Sequence, residues 1–180
     1  MQALIIIDAQ NEFSENGKRP VPHIESALVV IRERVKQWRA NGWPIAWVRH
    51  FNKPNESPAF VPGTWGTEFL PGLGPLEDSV NEAEFHKDVY GAFTGTNIGQ
   101  WLKEVNAGEI LITGFYTHGC VSTTAREGIM AGLKVLIDPD GTATCDITNE
   151  VLGNQSAEEV KKSALLQLVH MGAMLSTIIV

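Results

Sequence analysis

Three residues with chemically useful side chains stand at or near predicted strand and helix boundaries: Asp8, Lys87 and Cys120. Asp8 follows the apolar run at residues 3–7, where an unpaired carboxylate would be costly, so it needs a charged or hydrogen-bonded partner. Cys120 stands at the predicted start of a helix, where exposed amides and the helix dipole favour thiolate and lower the thiol pKa. An acid, an ammonium group and a thiol can together perform nucleophilic catalysis.

Each of these residues also has an ordinary structural interpretation. Asp8 could cap a helix or form a salt bridge, Lys87 could be a solvated charge, and Cys120 could be a small buried hydrophobe. Cys145 lies in a polar stretch after a strand, which predicts a structural or incidental role. A redox pair of Cys120 and Cys145 stays open, although the two cysteines lack Cys-x-x-Cys spacing.

The elements that must position these residues alternate between buried strands and amphipathic helices. The pattern predicts strands at residues 3–8, 44–50, 80–85, 110–114, 135–138 and 173–179, and helices at residues 24–41, 97–105, 120–130 and 157–170. This alternation predicts one domain over residues 1–180, an α/β three-layer α-β-α sandwich with a mostly parallel sheet. In the common strand order 3-2-1-4-5, the site lies beyond the carboxyl ends of the first and fourth strands, near Asp8 and Cys120.

Local signals mark a loop and two helix ends. Residues 51–75 contain five prolines and four glycines, which predicts a long irregular loop that is functional or disordered. Gly42 predicts the end of the first helix, and Ser156 followed by Glu159 predicts a capping box at the start of the last one.

Composition excludes several functional classes. The net charge is −7 and no cluster of Lys and Arg offers a phosphate footprint, which argues against nucleic acid as a partner. No apolar run approaches about 20 residues, and the first residues carry no positive signal-peptide region, so we expect no membrane contact and a cytoplasmic protein. No dinucleotide or phosphate-loop fingerprint is present, and the five histidines lack metal-ligand spacing, so we expect no cofactor and no metal.

Four segments together resemble motifs of the isochorismatase-like cysteine hydrolases. Residues 8–13 are similar to that family's Asp-x-Gln-x-x-Phe opening, and residues 65–69 are similar to its glycine-containing loop before the third strand. Residues 87–96 resemble its Lys-x-x-x-Ser-Ala-Phe-x-Gly-Thr segment, with Gly91 in place of the serine. Residues 113–126 resemble its nucleophile segment. The resemblance runs in order along nearly the whole chain.

The resemblance implies a mostly parallel six-stranded sheet in the order 3-2-1-4-5-6 and a catalytic triad of Asp8, Lys87 and Cys120. It also implies a cis peptide bond between Phe115 and Tyr116, and a homodimer or homotetramer. The nicotinamidase branch holds a metal through an Asp-x-His pair. Because residues 48–51 contain no aspartate, the resemblance here is to the non-metal branch, which is related to nicotinamidase and N-carbamoylsarcosine amidohydrolase.

The resulting hypothesis is hydrolysis of an amide-type C–N bond in a small-molecule substrate, through a thioester on Cys120. Retention of this cysteine favours C–N hydrolysis over the enol-ether hydrolysis of isochorismatase itself, and the amides of Tyr116 and Cys120 are the expected oxyanion donors. The candidate substrate-binding residues, for which plain core packing is the alternative, are Gln10, Phe13, His50, Trp65, Phe93 and Tyr116. The rival hypotheses are enol-ether hydrolysis, a catalytically silent binding scaffold and a thiol redox protein.

Overall fold

A six-stranded parallel sheet forms the centre of the computed structural model, which describes residues 1–176. Its strands are β1 (Gln2–Ile7), β2 (Ile45–His50), β3 (Glu82–Lys87), β4 (Glu109–Phe115), β5 (Lys134–Ala143) and β8 (Met174–Leu175), and a separate hairpin contains β6 (Ile147–Asn149) and β7 (Gly153–Gln155). The helices are α1 (Ile24–Asn41), α2 (Ile98–Glu104), α3 (Ser122–Met130) and α4 (Ala157–His170). The order β3-β2-β1-β4-β5-β8 confirms the predicted sheet.

The continuous apolar run of β1 is explained by helices on both faces of the sheet. Leu4 and Ile6 join the core cluster that contains the buried residues of α1. Ile5 and Ile7 join the cluster on the opposite face, which contains the buried residues of α2, α3 and α4. The structure therefore confirms the three-layer α-β-α architecture.

Helix ends follow the local signals in the sequence. Helix α1 ends at Gly42, whose φ of 63° lies in the left-handed region that glycine adopts without a Cβ clash. Helix α4 begins with the predicted capping box, in which Ser156 and Glu159 exchange side-chain-to-backbone hydrogen bonds. These two signals fix helix ends because they act within one turn of the chain.

Several predicted boundaries differ from the structure. Strand β3 begins and ends two residues later than predicted, and β5 extends beyond the predicted Asp138 to Ala143. Helix α3 begins at Ser122 rather than Cys120, after a π-helical turn over Thr117–Val121. The β6–β7 hairpin was not predicted, because its two exposed three-residue strands carry no buried face. Of the predicted last strand, residues 177–179 lie outside the described residues.

The sheet register brings four strand ends together at one edge. Ile7 lies opposite Gly114 in β4, and His50 lies opposite Lys87 in β3. A Cβ at Gly114 would lie 1.9 Å from the Ile7 carbonyl oxygen, so this close approach of β1 and β4 requires glycine. The carboxyl ends of β1, β2, β3 and β4 consequently surround a single crevice.

Candidate active site

Asp8, Lys87 and Cys120 meet in this crevice. The Lys87 Nζ donates to Asp8 Oδ2 at 2.8 Å and to Cys120 Sγ at 3.2 Å. The side chains of Lys87 and Asp8 are 0% and 1% exposed, so their ion pair is shielded from water. The structure thus brings together the three side chains that the sequence predicts as a triad.

Irregular backbone at two strand ends turns these side chains toward each other. Asp8 follows β1 with a φ of 52°, a left-handed conformation that a non-glycine residue rarely adopts. Beyond β4, the Phe115–Tyr116 peptide bond is cis, as the resemblance implied. The Tyr116 carbonyl then accepts from both Gly119 N and Val121 N, which closes the turn that holds Cys120.

The charges of the site favour an ion pair beside a neutral thiol. Burial lowers the pKa of Lys87, but the negative charge of Asp8 and the contact with Cys120 outweigh burial and raise that pKa overall. Burial, and then the charge of Asp8, raise the pKa of the Cys120 thiol, and the opposing effect of Lys87 is smaller.

The expectation of a lowered Cys120 pKa at a helix start is therefore wrong. The helix-dipole argument took no account of burial or of neighbouring charge, whereas Cys120 is 8% exposed and lies beside a carboxylate. Asp8 Oδ1 is buried and has no hydrogen-bond partner among the described residues. This oxygen is a ready acceptor for the thiol proton.

His50 contacts Lys87 from the side of β2, and Gln10 holds the backbone of His50. His50 Nδ1 lies 3.2 Å from Lys87 Nζ, and His50 Nε2 lies 2.7 Å from Asn52 Oδ1. Gln10 is fully buried; its amide oxygen accepts from His50 N at 2.8 Å and its Nε2 donates to the carbonyl oxygens of His50 and Thr67. Gln10 therefore holds the backbone at the end of β2.

A cavity of about 470 Å³ opens above the triad and is lined by both Asp8 and Cys120. Its aromatic walls are Phe13, Phe60, Tyr90 and Tyr116, and its charged rim residues are Arg19, Lys53, Glu56 and Asp88. A volume of this size suits a small molecule, and a lining that combines aromatic walls with polar groups is typical of ligand pockets.

Only half of the six predicted substrate-binding residues line the cavity. Phe13, His50 and Tyr116 line the cavity, whereas Gln10, Trp65 and Phe93 do not. Trp65 is 49% exposed in a short helical turn, and Phe93 packs partly buried against the core.

Sequence reasoning missed the lining residues Asn52, Phe60 and Tyr90, and it left open whether His118, which also lines the cavity, contacts the substrate. Asn52 and Phe60 belong to the long loop, where no periodicity predicts which way a side chain points. His118 lies two residues before Cys120, so its position in the nucleophile segment was a usable signal.

Cys145 lines the same cavity as Cys120, which its polar sequence context did not indicate. The Tyr116 hydroxyl donates to the Arg19 carbonyl oxygen at 2.8 Å. Burial and the neighbouring Cys145 thiol both raise the pKa of Tyr116. The two thiols therefore lie on the walls of one cavity, and Tyr116 contacts the second.

The isochorismatase domain model matches residues 2–179 of the chain. This chain belongs to the isochorismatase family.

This isochorismatase-family chain is similar to proteins that are named for different activities. It is 36% identical over 144 residues to the secreted isochorismatase effector Isc1 of Verticillium dahliae, covering 80% of this chain and 73% of that protein. It is 28% identical over 185 residues to the nicotinamidase/pyrazinamidase of Mycobacterium tuberculosis, covering 89% and 97%. An isochorismatase from Pseudomonas putida superposes with a TM-score of 0.87 at 29% identity, covering 98% and 87%. The chain is accordingly an isochorismatase-family hydrolase.

The residues around His50 do not fit a metal ion, even though some isochorismatase-family members bind one. Both imidazole nitrogens already face partners, Lys87 and Asn52, and a cation on Nδ1 would meet the ammonium group. Within residues 1–176, no group of three or more His, Cys, Asp or Glu side chains could hold a metal. In the same range, no helix is both long and apolar enough to cross a bilayer. The cytoplasmic location and the homo-oligomer stay predictions.

Proposed function

We propose that this isochorismatase-family hydrolase cleaves an amide-type C–N bond of a small molecule through a thioester on Cys120. The observation that carries the proposal is the Lys87 ammonium within 2.8 Å of Asp8 Oδ2 and 3.2 Å of Cys120 Sγ, with Asp8 Oδ1 unpartnered among the described residues. One group can accept a proton, one can carry positive charge and one can attack carbon.

Acylation begins from the neutral thiol. As Sγ attacks the carbonyl carbon, the thiol proton moves to Asp8, and the positive charge of Lys87 stabilises the developing thiolate. The main-chain N–H groups of Tyr116 and Cys120 are the proposed donors to the oxyanion, each contributing about 3–4 kcal/mol. A raised resting pKa is compatible with this route, because the thiolate forms only as the C–S bond does.

Collapse of the tetrahedral intermediate breaks the C–N bond. Asp8 returns its proton to the leaving amine, and the acyl group stays on Cys120 as a thioester. Asp8, again a carboxylate, then takes a proton from water as the water attacks the thioester carbon. When the C–S bond breaks, Asp8 gives this proton to the departing Cys120 sulfur. The products are a carboxylic acid, an amine and the regenerated thiol, so each turnover consumes one amide and one water.

The aromatic walls of the cavity favour a substrate with a small, partly planar acyl group. Phe13 and Tyr116 lie edge to face with ring centroids 4.8 Å apart, and Phe13 also packs against Phe60. Aromatic walls of this kind bind planar groups with little loss of side-chain freedom. The relative named nicotinamidase/pyrazinamidase is, by that name, an amidase of small ring compounds, which agrees with this choice.

The experiment is acid quench of the protein during turnover of a panel of small aromatic and aliphatic amides, followed by peptide mass mapping. We expect amine release together with an acyl adduct on Cys120, and loss of both in Cys120→Ala. Lys162→Gln, a change at an exposed helix surface, serves as the control for handling and folding. Undiminished amide hydrolysis by Cys120→Ala would overturn the covalent route. Pyruvate release from an enol ether, without any amide turnover, would assign the other hydrolase reaction.

A further inference from the structure

The Lys87 ammonium group has three N–H bonds and three acceptors. They are Asp8 Oδ2 at 2.8 Å, Cys120 Sγ at 3.2 Å and His50 Nδ1 at 3.2 Å. Two of these acceptors belong to the proposed triad. The third belongs to a histidine at the end of β2 that the mechanism above does not use.

The lysine contact assigns a tautomer to His50. An ammonium group donates and never accepts, so Nδ1 must present its lone pair to Lys87, and the ring proton resides on Nε2. Nε2 then donates to Asn52 Oδ1 at 2.7 Å. Both ring nitrogens are occupied, which leaves His50 without a free polar atom for substrate even though its ring lines the cavity.

Asn52 is itself held by the loop that forms one cavity wall. Its Nδ2 donates to the Ala59 carbonyl at 2.8 Å, which turns Oδ1 toward the histidine. Its backbone N–H donates to the Phe60 carbonyl at 3.0 Å. A continuous chain of hydrogen bonds therefore runs from residues 59–60 through Asn52 and His50 to Lys87.

We propose that His50, oriented by Asn52, is a positioning residue for Lys87 and transmits the order of the 52–60 loop to the triad. The inference rests on the proposed function for its catalytic consequence, but not for its geometry. Without the third acceptor, one buried N–H of Lys87 loses its partner. The ammonium group then turns toward the cavity and its solvent, and away from Cys120 Sγ.

The other charged groups near His50 are already engaged or have an assigned role. On the β1 side, Asp8 Oδ2 accepts from the same lysine, and Asp8 Oδ1 is the proposed acceptor for the thiol proton of Cys120. On the loop side, Glu56 accepts from Lys53 N, and the Lys53 ammonium lies 3.4 Å from Asp88 Oδ2. The ring of His50 is otherwise covered by Phe60, edge to face at 5.2 Å.

Two substitutions at position 50 separate the positioning role from simple packing. In His50→Asn, the amide oxygen takes the place of Nδ1 and can still accept from Lys87, whereas His50→Leu removes the acceptor. We expect kcat to fall about 10- to 100-fold in His50→Leu with KM nearly unchanged, and to recover largely in His50→Asn. Asn52→Leu should give a smaller loss of kcat in the same direction, because the tautomer is no longer fixed. His86→Leu, at an exposed histidine next to Lys87 in β3, is the matched control.

A second measurement does not depend on turnover. In a Cys145→Ser background, the rate of Cys120 alkylation by iodoacetamide is followed against pH for each variant. Because Lys87 lowers the thiol pKa, its displacement in His50→Leu should move the alkylation midpoint to higher pH, and His50→Asn should restore it. If no variant hydrolyses amides but this shift appears, the amide assignment fails and the positioning role stands. A raised KM with unchanged kcat and an unmoved midpoint would make His50 a substrate contact and overturn the proposal.

Discussion

The triad and the cavity mouth are built in opposite ways. Asp8 and Lys87 are buried at the carboxyl ends of β1 and β3, two parallel strands with β2 between them, and their side chains form an ion pair. The cavity mouth consists of the loop residues Asn52, Lys53, Glu56, Phe60 and Tyr90. Tyr90 is 68% exposed. Side chains at strand ends are held rigidly by the sheet. Loop residues at a cavity mouth can differ in sequence without disturbing the sheet.

The mouth nevertheless has one buried anchor. Glu12 is 3% exposed, and its carboxylate accepts from Phe60 N at 2.8 Å and from Lys18 N at 2.9 Å. A Cβ at Gly66 would lie 2.7 Å from the same carboxylate, so this part of the loop passes close over it. One acid therefore holds two loop segments by hydrogen bonds, and one of these segments carries Phe60 of the cavity wall.

The largest effect is expected from Asp8→Asn, which tests whether the triad works as one unit. Loss of the proton acceptor should lower kcat/KM by about 10²–10⁴-fold. Because the charge of Asp8 raises the Cys120 pKa while Lys87 lowers it, the same change should move alkylation of Cys120 to lower pH. Turnover and thiol reactivity thus change in opposite directions. Asp78→Asn, at an exposed loop position, is the control, and a parallel fall in both quantities would contradict the assignment of Asp8 as base.

A smaller effect, now on stability, is expected from Glu12→Ala. The buried amide of Phe60 and the partly buried amide of Lys18 lose a charged acceptor. This loss should lower the free energy of unfolding by about 2–4 kcal/mol, as measured by urea denaturation. KM should rise because Phe60 is no longer held. Glu12→Gln keeps one acceptor oxygen, so its free energy of unfolding should lie between those of the native protein and Glu12→Ala. Unchanged stability in Glu12→Ala would show that contacts other than those of Glu12 hold the loops of the mouth.

The same contrast separates what the sequence could predict from what it could not. Asp8 and Cys120 were placed by strand ends and the topology of parallel sheets, which depend on hydrophobic periodicity. The raised thiol pKa was missed because burial and the distance to a carboxylate are three-dimensional quantities. Asn52 and Phe60 were missed because their roles come from hydrogen bonds within an aperiodic loop.

A third prediction concerns Gly91, where the chain departs from the serine of the family segment. A Cβ here would lie 2.2 Å from the Glu127 carboxylate, which accepts from Phe93 N at 2.9 Å. Gly91→Ser should therefore destabilise the fold by about 1–3 kcal/mol through overpacking. In Gly91→Ser/Glu127→Ala the serine has room, so a double-mutant cycle should show positive coupling between the two positions. Additive effects would mean that the segment after β3 can shift to make room for the serine.

The smallest effect is expected at the rim, from Arg19→Gln. Arg19 lines the cavity and forms no salt bridge within residues 1–176, whereas the other rim cation, Lys53, lies 3.4 Å from Asp88. An exposed guanidinium group attracts a substrate carboxylate with only about 0.2–1 kcal/mol, because water and salt screen it. For amides that carry a carboxylate, KM should rise about 1.4- to 5-fold in Arg19→Gln while kcat is unchanged; neutral amides should show no effect. Raised ionic strength should mimic the substitution in the native protein, and Arg32→Gln, whose native arginine pairs with Glu25, is the control. A change in kcat, or an equal change for neutral amides, would place Arg19 with the triad rather than with the mouth.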